Sequence, residues 1–149
     1  MSESVVADTT CLIALARIGQ LGLLQRLFFA VIIPPEVARE FNNPPEWLTV
    51  KSCSLVRVLA SLKLQVDEGE AAAIALAHEL KLKVILDDRA GRSAAKQFGV
   101  PVLGTIGLLV IAKKRGLVRA VRPLVENLEL HGFYMTEALK QEVLRLADE

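Results

Sequence analysis

The apolar residues of this chain fall in short runs, each closed by a charge, a glycine or a proline. Val5-Val6-Ala7, Ala30-Val31-Ile32-Ile33, Val84-Ile85-Leu86 and Val102-Leu103 are rich in β-branched side chains and too short for helices, which predicts buried strands. Trp47 to Ser52 reads as a further, edge-like strand. Between these runs the apolar positions recur at helical spacing. The helices expected are Leu12 to Ala16, Leu21 to Phe29 after a break at Gly19, Pro35 to about Phe41, Ser54 to Leu62 and Ala71 to Leu80, then Arg89 to Phe98, Gly104 to Lys114, Val118 to Leu128 and Thr136 to Leu146. Asp8-Thr9-Thr10 supplies capping side chains, Pro35 suits a first helical turn, and Thr136 with Glu137 reads as a cap followed by a first-turn acid. Asn42-Asn43-Pro44-Pro45 is the clearest loop. Strand alternating with helix predicts a parallel sheet covered on both faces. With no repeat or linker in view, residues 1–149 are expected to form one domain.

Composition adds a large core to this picture. The chain is 52% hydrophobic, with a mean hydropathy of +0.40. No run reaches the roughly 18–20 apolar residues of a membrane-spanning helix, so no membrane partner is expected. Met1-Ser2-Glu3-Ser4 lacks the basic start and apolar core of a signal peptide, which points to the cytoplasm. The apolar surplus suggests an oligomer interface and a homodimer. A net charge of +1 neither favours nor excludes nucleic acid. Arg89, Arg92 and Lys96, and later Lys113-Lys114-Arg115, either contact phosphates or make solvated helix faces. Cys11 and Cys53 form no CxxC pair and read as reduced core residues.

The acids carry the candidate chemistry. Asp8 ends the first strand, Asp87 and Asp88 end the strand at Val84, and Glu40 and Glu70 sit in helical segments near such ends. In an open α/β sheet the carboxyl ends of strands share one edge, where ligands bind. Carboxylates gathered there repel one another unless a cation lies between them, and a divalent metal held by oxygen ligands is the simplest one. Each acid also has a plain structural use. Asp8 can cap the following helix, and Thr9 and Thr10 serve either role. Glu40 shares a helix face with Glu36. Glu70 favours the helix dipole, although Asp67 and Glu68 crowd the same turn beyond what capping needs. Arg89 and Arg92 can neutralise the Asp87-Asp88 pair. There is no nucleophile elbow, no GxGxxG and no Walker loop. His78 and His131 are isolated, His131 in a turn before Gly132.

Taken together, VVADTTCLIALARIGQLGLL, IIPPEVAREF, DEGEAAAIALAHEL, VILDDRAGRSAAKQFGVPVLGTIGLLVIAKKRGLV and HGFYMTEALKQEVLRLADE resemble the PIN domain, a fold of metal-dependent nucleases. More narrowly they are similar to a prokaryotic PIN-like family related to toxin–antitoxin ribonucleases. The resemblance covers nearly the whole chain. It implies a three-layer α/β/α PIN-like fold with a central parallel sheet of four or five strands, an acidic cluster binding Mg²⁺ or Mn²⁺, and hydrolysis of RNA phosphodiesters. By position it implies that Asp8, Glu40, Glu70 and Asp88 or Asp87 are the family's acids, with Thr9 or Thr10 as its small hydroxyl residue. Glu70 stands where the family often carries Asp, one bond longer. Arg89 and Arg92 follow the last acids closely enough to enter the site.

The expected mechanism follows. Asp8, Glu70 and Asp88 or Asp87 bind the ion, Glu40 completes the shell, and the ion lowers the pKa of a water and offsets phosphate charge. Thr9 and Thr10, with Arg92 or Lys96, hold the substrate backbone. RNA is the expected partner, with an antitoxin protein as a second. The competing readings are a non-catalytic module that dimerises or binds a partner helix, and a small-molecule phosphate binder, which the lack of a Gly-rich loop disfavours.

Overall fold

In the computed structural model, residues 3–149 are described. Met1 and Ser2, which enter the N-terminal reading above, lie outside them. Strand β1 (Val5–Ala7) leads into α1 (Thr9–Arg17) and α2 (Gly22–Leu27). Strand β2 (Val31–Ile33), α3 (Pro35–Phe41), β3 (Leu48–Val50), α4 (Val56–Lys63) and α5 (Glu68–Leu80) follow. Then come β4 (Lys83–Ile85), α6 (Arg89–Gln97), β5 (Val102–Leu103), α7 (Thr105–Lys114), α8 (Arg122–Leu130) and α9 (Glu137–Leu146). The five strands form one sheet in the order β3-β2-β1-β4-β5. Every pairing is parallel, with Val6 of β1 opposite Ile32 on one side and Val84 on the other.

Two cores explain the three layers. Side chains alternate across a strand. Val5 and Ala7 of β1, with Ile33 and Ile85, face the side covered by α1, α2, α7 and α8. Val6, Val84 and Leu86 face the side covered by α5 and α6, where Leu62 of α4 also packs. Burial on both faces is why the strands read as continuous apolar runs rather than alternating ones. The Ala-rich α5 is buried from Gly69 to Ala77 and packs against β1 and β4, with α3, α4 and α6 around it.

Several boundaries differ from those expected, each for a local reason. Helix α1 starts at Thr9 rather than Leu12, because Asp8 already holds the extended conformation of an N-cap, φ −92° and ψ 163°. Helix α5 starts at Glu68 rather than Ala71, because Asp67 caps it through the Glu70 N–H. The helix expected from Val118 runs from Arg122, where Pro123 fits the first turn. The Leu21–Phe29 helix contracts to Gly22–Leu27, and the Trp47–Ser52 strand to three residues.

The order of strands reverses beside β1: the chain builds outward through β2 and β3, then returns to add β4 and β5 on the other flank. Such a switch point opens a crevice at the carboxyl ends of the two strands involved. Asp8 lies there, and its backbone N–H donates to the Ile85 carbonyl at 3.1 Å, so the ends of β1 and β4 are fixed together.

Ile85 is fully buried in this pair. Ile85→Ala is expected to cost about 2–5 kcal/mol and Ile85→Val about 0.5–1.5 kcal/mol, read by urea denaturation. A loss under about 0.5 kcal/mol for the alanine variant would contradict the packing described.

Candidate metal centre

Three strand ends and helix starts deliver acids to this sheet edge, and the end of α3 brings Glu40 beside it. Asp8 follows β1 and is only 3% exposed. Glu70, buried at 9% exposure, enters from the first turn of α5. Asp87 and Asp88 follow β4, and Glu40 comes from the last turn of α3. Two glycines make room. At Gly69 a Cβ would collide with the Glu40 carboxylate. At Gly91 it would lie 3.1 Å from Glu70 Oε2 and 3.0 Å from Leu86 Cδ2. The acidic side chains lie against bare backbone because these positions carry none of their own.

The aspartates differ in what already holds them. Asp67 Oδ1 accepts from Glu70 N at 2.8 Å, and Asp88 Oδ2 accepts from Gly91 N at 2.9 Å. Both are helix caps that leave one carboxylate oxygen over. Asp87 is gripped on both oxygens: Oδ1 accepts from Thr105 N at 2.8 Å and Oδ2 from Thr105 Oγ1 at 2.5 Å. Arg92 Nη2 stands 3.9 Å from Asp87 Oδ1. Asp8, although at the N-cap position, makes no side-chain cap with its helix. Its plain structural use is therefore not realised.

Burial, first, and then the charges of Asp67, Glu40 and Asp87 push the Asp8 carboxyl up to about 7. Burial likewise leads for Glu70, pushed up to about 8, followed by Asp67 and by the charges of Asp88 and Asp8. Glu40 is raised by the same combination of burial and Asp67. The acids therefore share one electrostatic site and resist ionising together. Among the described residues, no three Asp, Glu, His or Cys side chains converge into a ready cage. The donor set is nevertheless that of a hard divalent cation, all carboxylate oxygen with a hydroxyl beside it. Thr9 Oγ1 supplies that hydroxyl. It is buried next to Glu40 without a well-formed hydrogen bond, the one such buried side-chain atom among the described residues. A hydroxyl held only loosely to Glu40, beside repelling carboxylates, fits a cation between them.

The other expected residues divide. A cavity of about 460 Å³ is lined by Thr10, Glu70, Asp87 and Asp88 together with Arg17, His131 and Tyr134, but not by Asp8. Glu40 is not in it; Glu40 lines a separate hollow with Asp67, Glu68 and Arg39. Arg92 reaches the acids only through Asp87. Lys96 is not brought to them: it lines a shallow depression with Gly99, Val100 and Pro101, one helical turn beyond Arg92. Cys11 is buried as expected, its thiol pushed up by burial. Cys53 is only half-buried, beside Ser54 and Glu79. Sequence reasoning missed Asp67 as a member of the cluster, Thr105 as the holder of Asp87, and the Arg17 wall. For Thr105 a signal existed, since it follows β5 at the same sheet edge. For Arg17, at the far end of α1, there was none.

A parallel sheet with a topological switch point and acids at its carboxyl edge defines an open α/β fold with a ligand crevice at that edge. The chain belongs to the PIN-domain family: the DUF3368 model, described as a PIN domain, matches residues 4–149. Membership indicates a nuclease-type function, generally dependent on divalent metal. No curated protein matches the sequence. Among the described residues, no helix is long and apolar enough to cross a membrane.

The raised acids set a pH dependence. Unfolded, Asp8 and Glu70 titrate near about 4; folded, they titrate near 7 and 8. Between these values the folded state binds more protons, so stability is greatest at low pH and falls as pH rises from about 4 to 8. The metal-free melting temperature is expected to drop by on the order of 5 °C from pH 5 to pH 8. Mn²⁺ should restore more of it at pH 8 than at pH 5. A melting temperature that rises over that window in the metal-free wild type, measured by scanning calorimetry, would contradict the cluster's electrostatics.

Proposed function

We propose that this protein is a divalent-metal-dependent endoribonuclease in which Asp8, Glu70 and Asp88 hold Mg²⁺ or Mn²⁺ and Glu40 completes the acidic shell. The observation that carries the reading is the pair of buried carboxylates, Asp8 and Glu70, brought from different elements within electrostatic reach of each other. Membership in a nuclease family supports it. When bound, the ion supplies Lewis acidity: it acidifies water and offsets charge on a phosphate.

The protein's own residues orient and restrain. Asp88 is held by the Gly91 N–H, which aims its remaining oxygen, so Asp88 is favoured over Asp87 as a ligand. Asp87, held by Thr105 and Arg92, adds negative charge and keeps Arg92 from crossing the site. Thr10 on the cavity wall and the half-exposed Arg92 are the contacts for a substrate phosphate. Lys96 extends that track outward. RNA as substrate, a role as the toxin of a toxin–antitoxin pair, an antitoxin protein and a homodimer in the cytoplasm complete the reading. The exposed Leu139 and Leu146 on α9 offer apolar surface for such a partner.

One observation favours a second reading, a metal-independent interaction module. Asp67, Asp87 and Asp88 all have structural work as caps or hydrogen-bond acceptors, with no ready cage among the described residues.

Calorimetric Mn²⁺ titration and an RNA cleavage assay separate the two. The wild type is expected to bind Mn²⁺, and Asp8→Asn combined with Asp88→Asn to lose both binding and metal-dependent cleavage. Full cleavage by the double variant ends the nuclease assignment of these acids. Absence of metal uptake by the folded wild type leaves the interaction module.

A further inference from the structure

The cavity at the switch point has lining residues that the metal reading does not use. Besides the acids, the cavity is lined by Arg17, His131 and Tyr134. Arg17 is the last residue of α1, and His131 and Tyr134 belong to the turn after α8. The turn is built to hold them there. Gly132 takes φ +88° and donates to Glu129 O at 3.1 Å, and Phe133 N donates to Leu128 O at 2.9 Å. The Phe133 ring packs on the core as an anchor. The next residue, Tyr134, is thereby turned outward and is 83% exposed.

Charge is arranged to match. Arg17 Nη1 donates to the His131 carbonyl at 3.4 Å, which ties α1 to the turn and leaves the other guanidinium N–H groups for a ligand. His131 Nδ1 donates to Asn127 O at 2.9 Å, which orients the ring and leaves Nε2 as its free nitrogen. An exposed aromatic ring and a guanidinium thus share one cavity of about 460 Å³ with Glu70, Asp87 and Asp88. The ligand that satisfies both groups carries an aromatic ring and a phosphate in one unit.

We propose that Tyr134 and Arg17 form a base-stacking subsite beside the acids, with an unpaired base of the substrate on the Tyr134 ring and its phosphate held by the free Arg17 N–H groups. The inference rests on the nuclease reading of the acids. A duplex keeps its bases stacked on one another, whereas a single strand offers a free face to an aromatic side chain. Stacking tolerates any base, so the subsite selects strandedness rather than sequence.

The test is fluorescence anisotropy of the full chain with a short single-stranded oligoribonucleotide and with its duplex, in Ca²⁺ and in Mn²⁺. The wild type is expected to bind the single strand more tightly than the duplex. Tyr134→Ala should weaken single-strand binding by about 10-fold or more, and Tyr134→Phe, which keeps the ring, should stay within about 2-fold of wild type. Arg17→Gln should reduce the slope of log affinity against log salt by about one. Calorimetric Mn²⁺ affinity should be the same in Tyr134→Ala as in wild type.

Equal binding by Tyr134→Ala and wild type, equal binding of duplex and single strand, a Tyr134→Phe loss as large as that of Tyr134→Ala, or no binding by the wild type overturns the subsite. A wild type that binds RNA through Tyr134 yet takes up no Mn²⁺ and cleaves nothing overturns the nuclease reading and leaves the subsite standing.

Discussion

A carboxylate at the end of a fully buried strand constrains everything around it. Asp8 follows three residues with no exposed surface, so its side chain leaves the core with little water to solvate it. An ionised carboxylate there is costly unless something compensates. The Thr9 N–H offsets part of that cost, but the fold also adds to it by bringing Asp67, Glu40 and Asp87 within electrostatic reach. Neighbouring elements are then shaped by the need to accommodate these groups. Glycines stand at positions 69 and 91 where side chains would displace Glu40 and Glu70. Helices α5 and α6 begin on capping aspartates, and their positive N-terminal ends face the cluster and temper its charge.

The two adjacent acids after β4 show how one sequence feature serves two ends. Asp88 caps α6 and keeps an oxygen over. Asp87 turns the other way and accepts both the N–H and the hydroxyl of Thr105 at the start of α7. The pair therefore locks β4 to helices on opposite faces of the sheet. Rigidity at this edge matters for any ligand, since groups already held in place lose little entropy on binding. Arg92, drawn to Asp87, lies beside the crevice rather than within it.

The crevice is polarised. Its acidic wall comes from strand ends and the first turns of helices, and its cationic and aromatic wall from the far end of α1 and the turn after α8. These two walls differ in how they are held. The first is fixed by the sheet register and by caps. The second depends on the Gly132 turn and the Phe133 anchor. A ligand spanning both would link the sheet edge to the C-terminal helices.

By itself the sequence determined the elements and their class. Buried runs such as Val5–Ala7 and Val84–Leu86 announce strands because only a doubly covered parallel sheet makes them continuously apolar. The Ala-rich stretch after Gly69 could only be a tightly packed helix. The acids after those strands were legible for the same reason: position in a strand-helix unit fixes which edge a residue reaches. Tertiary structure alone decided which groups meet. That Asp87 belongs to Thr105, that Lys96 lies with Arg92 in a separate depression, that Glu40 occupies a hollow beside Gly69, and that Arg17 shares a cavity with Asp88 all depend on sheet order and helix packing. Local patterns encode which face of an element is apolar. They do not encode the distance between two elements, and that distance determines which charges interact.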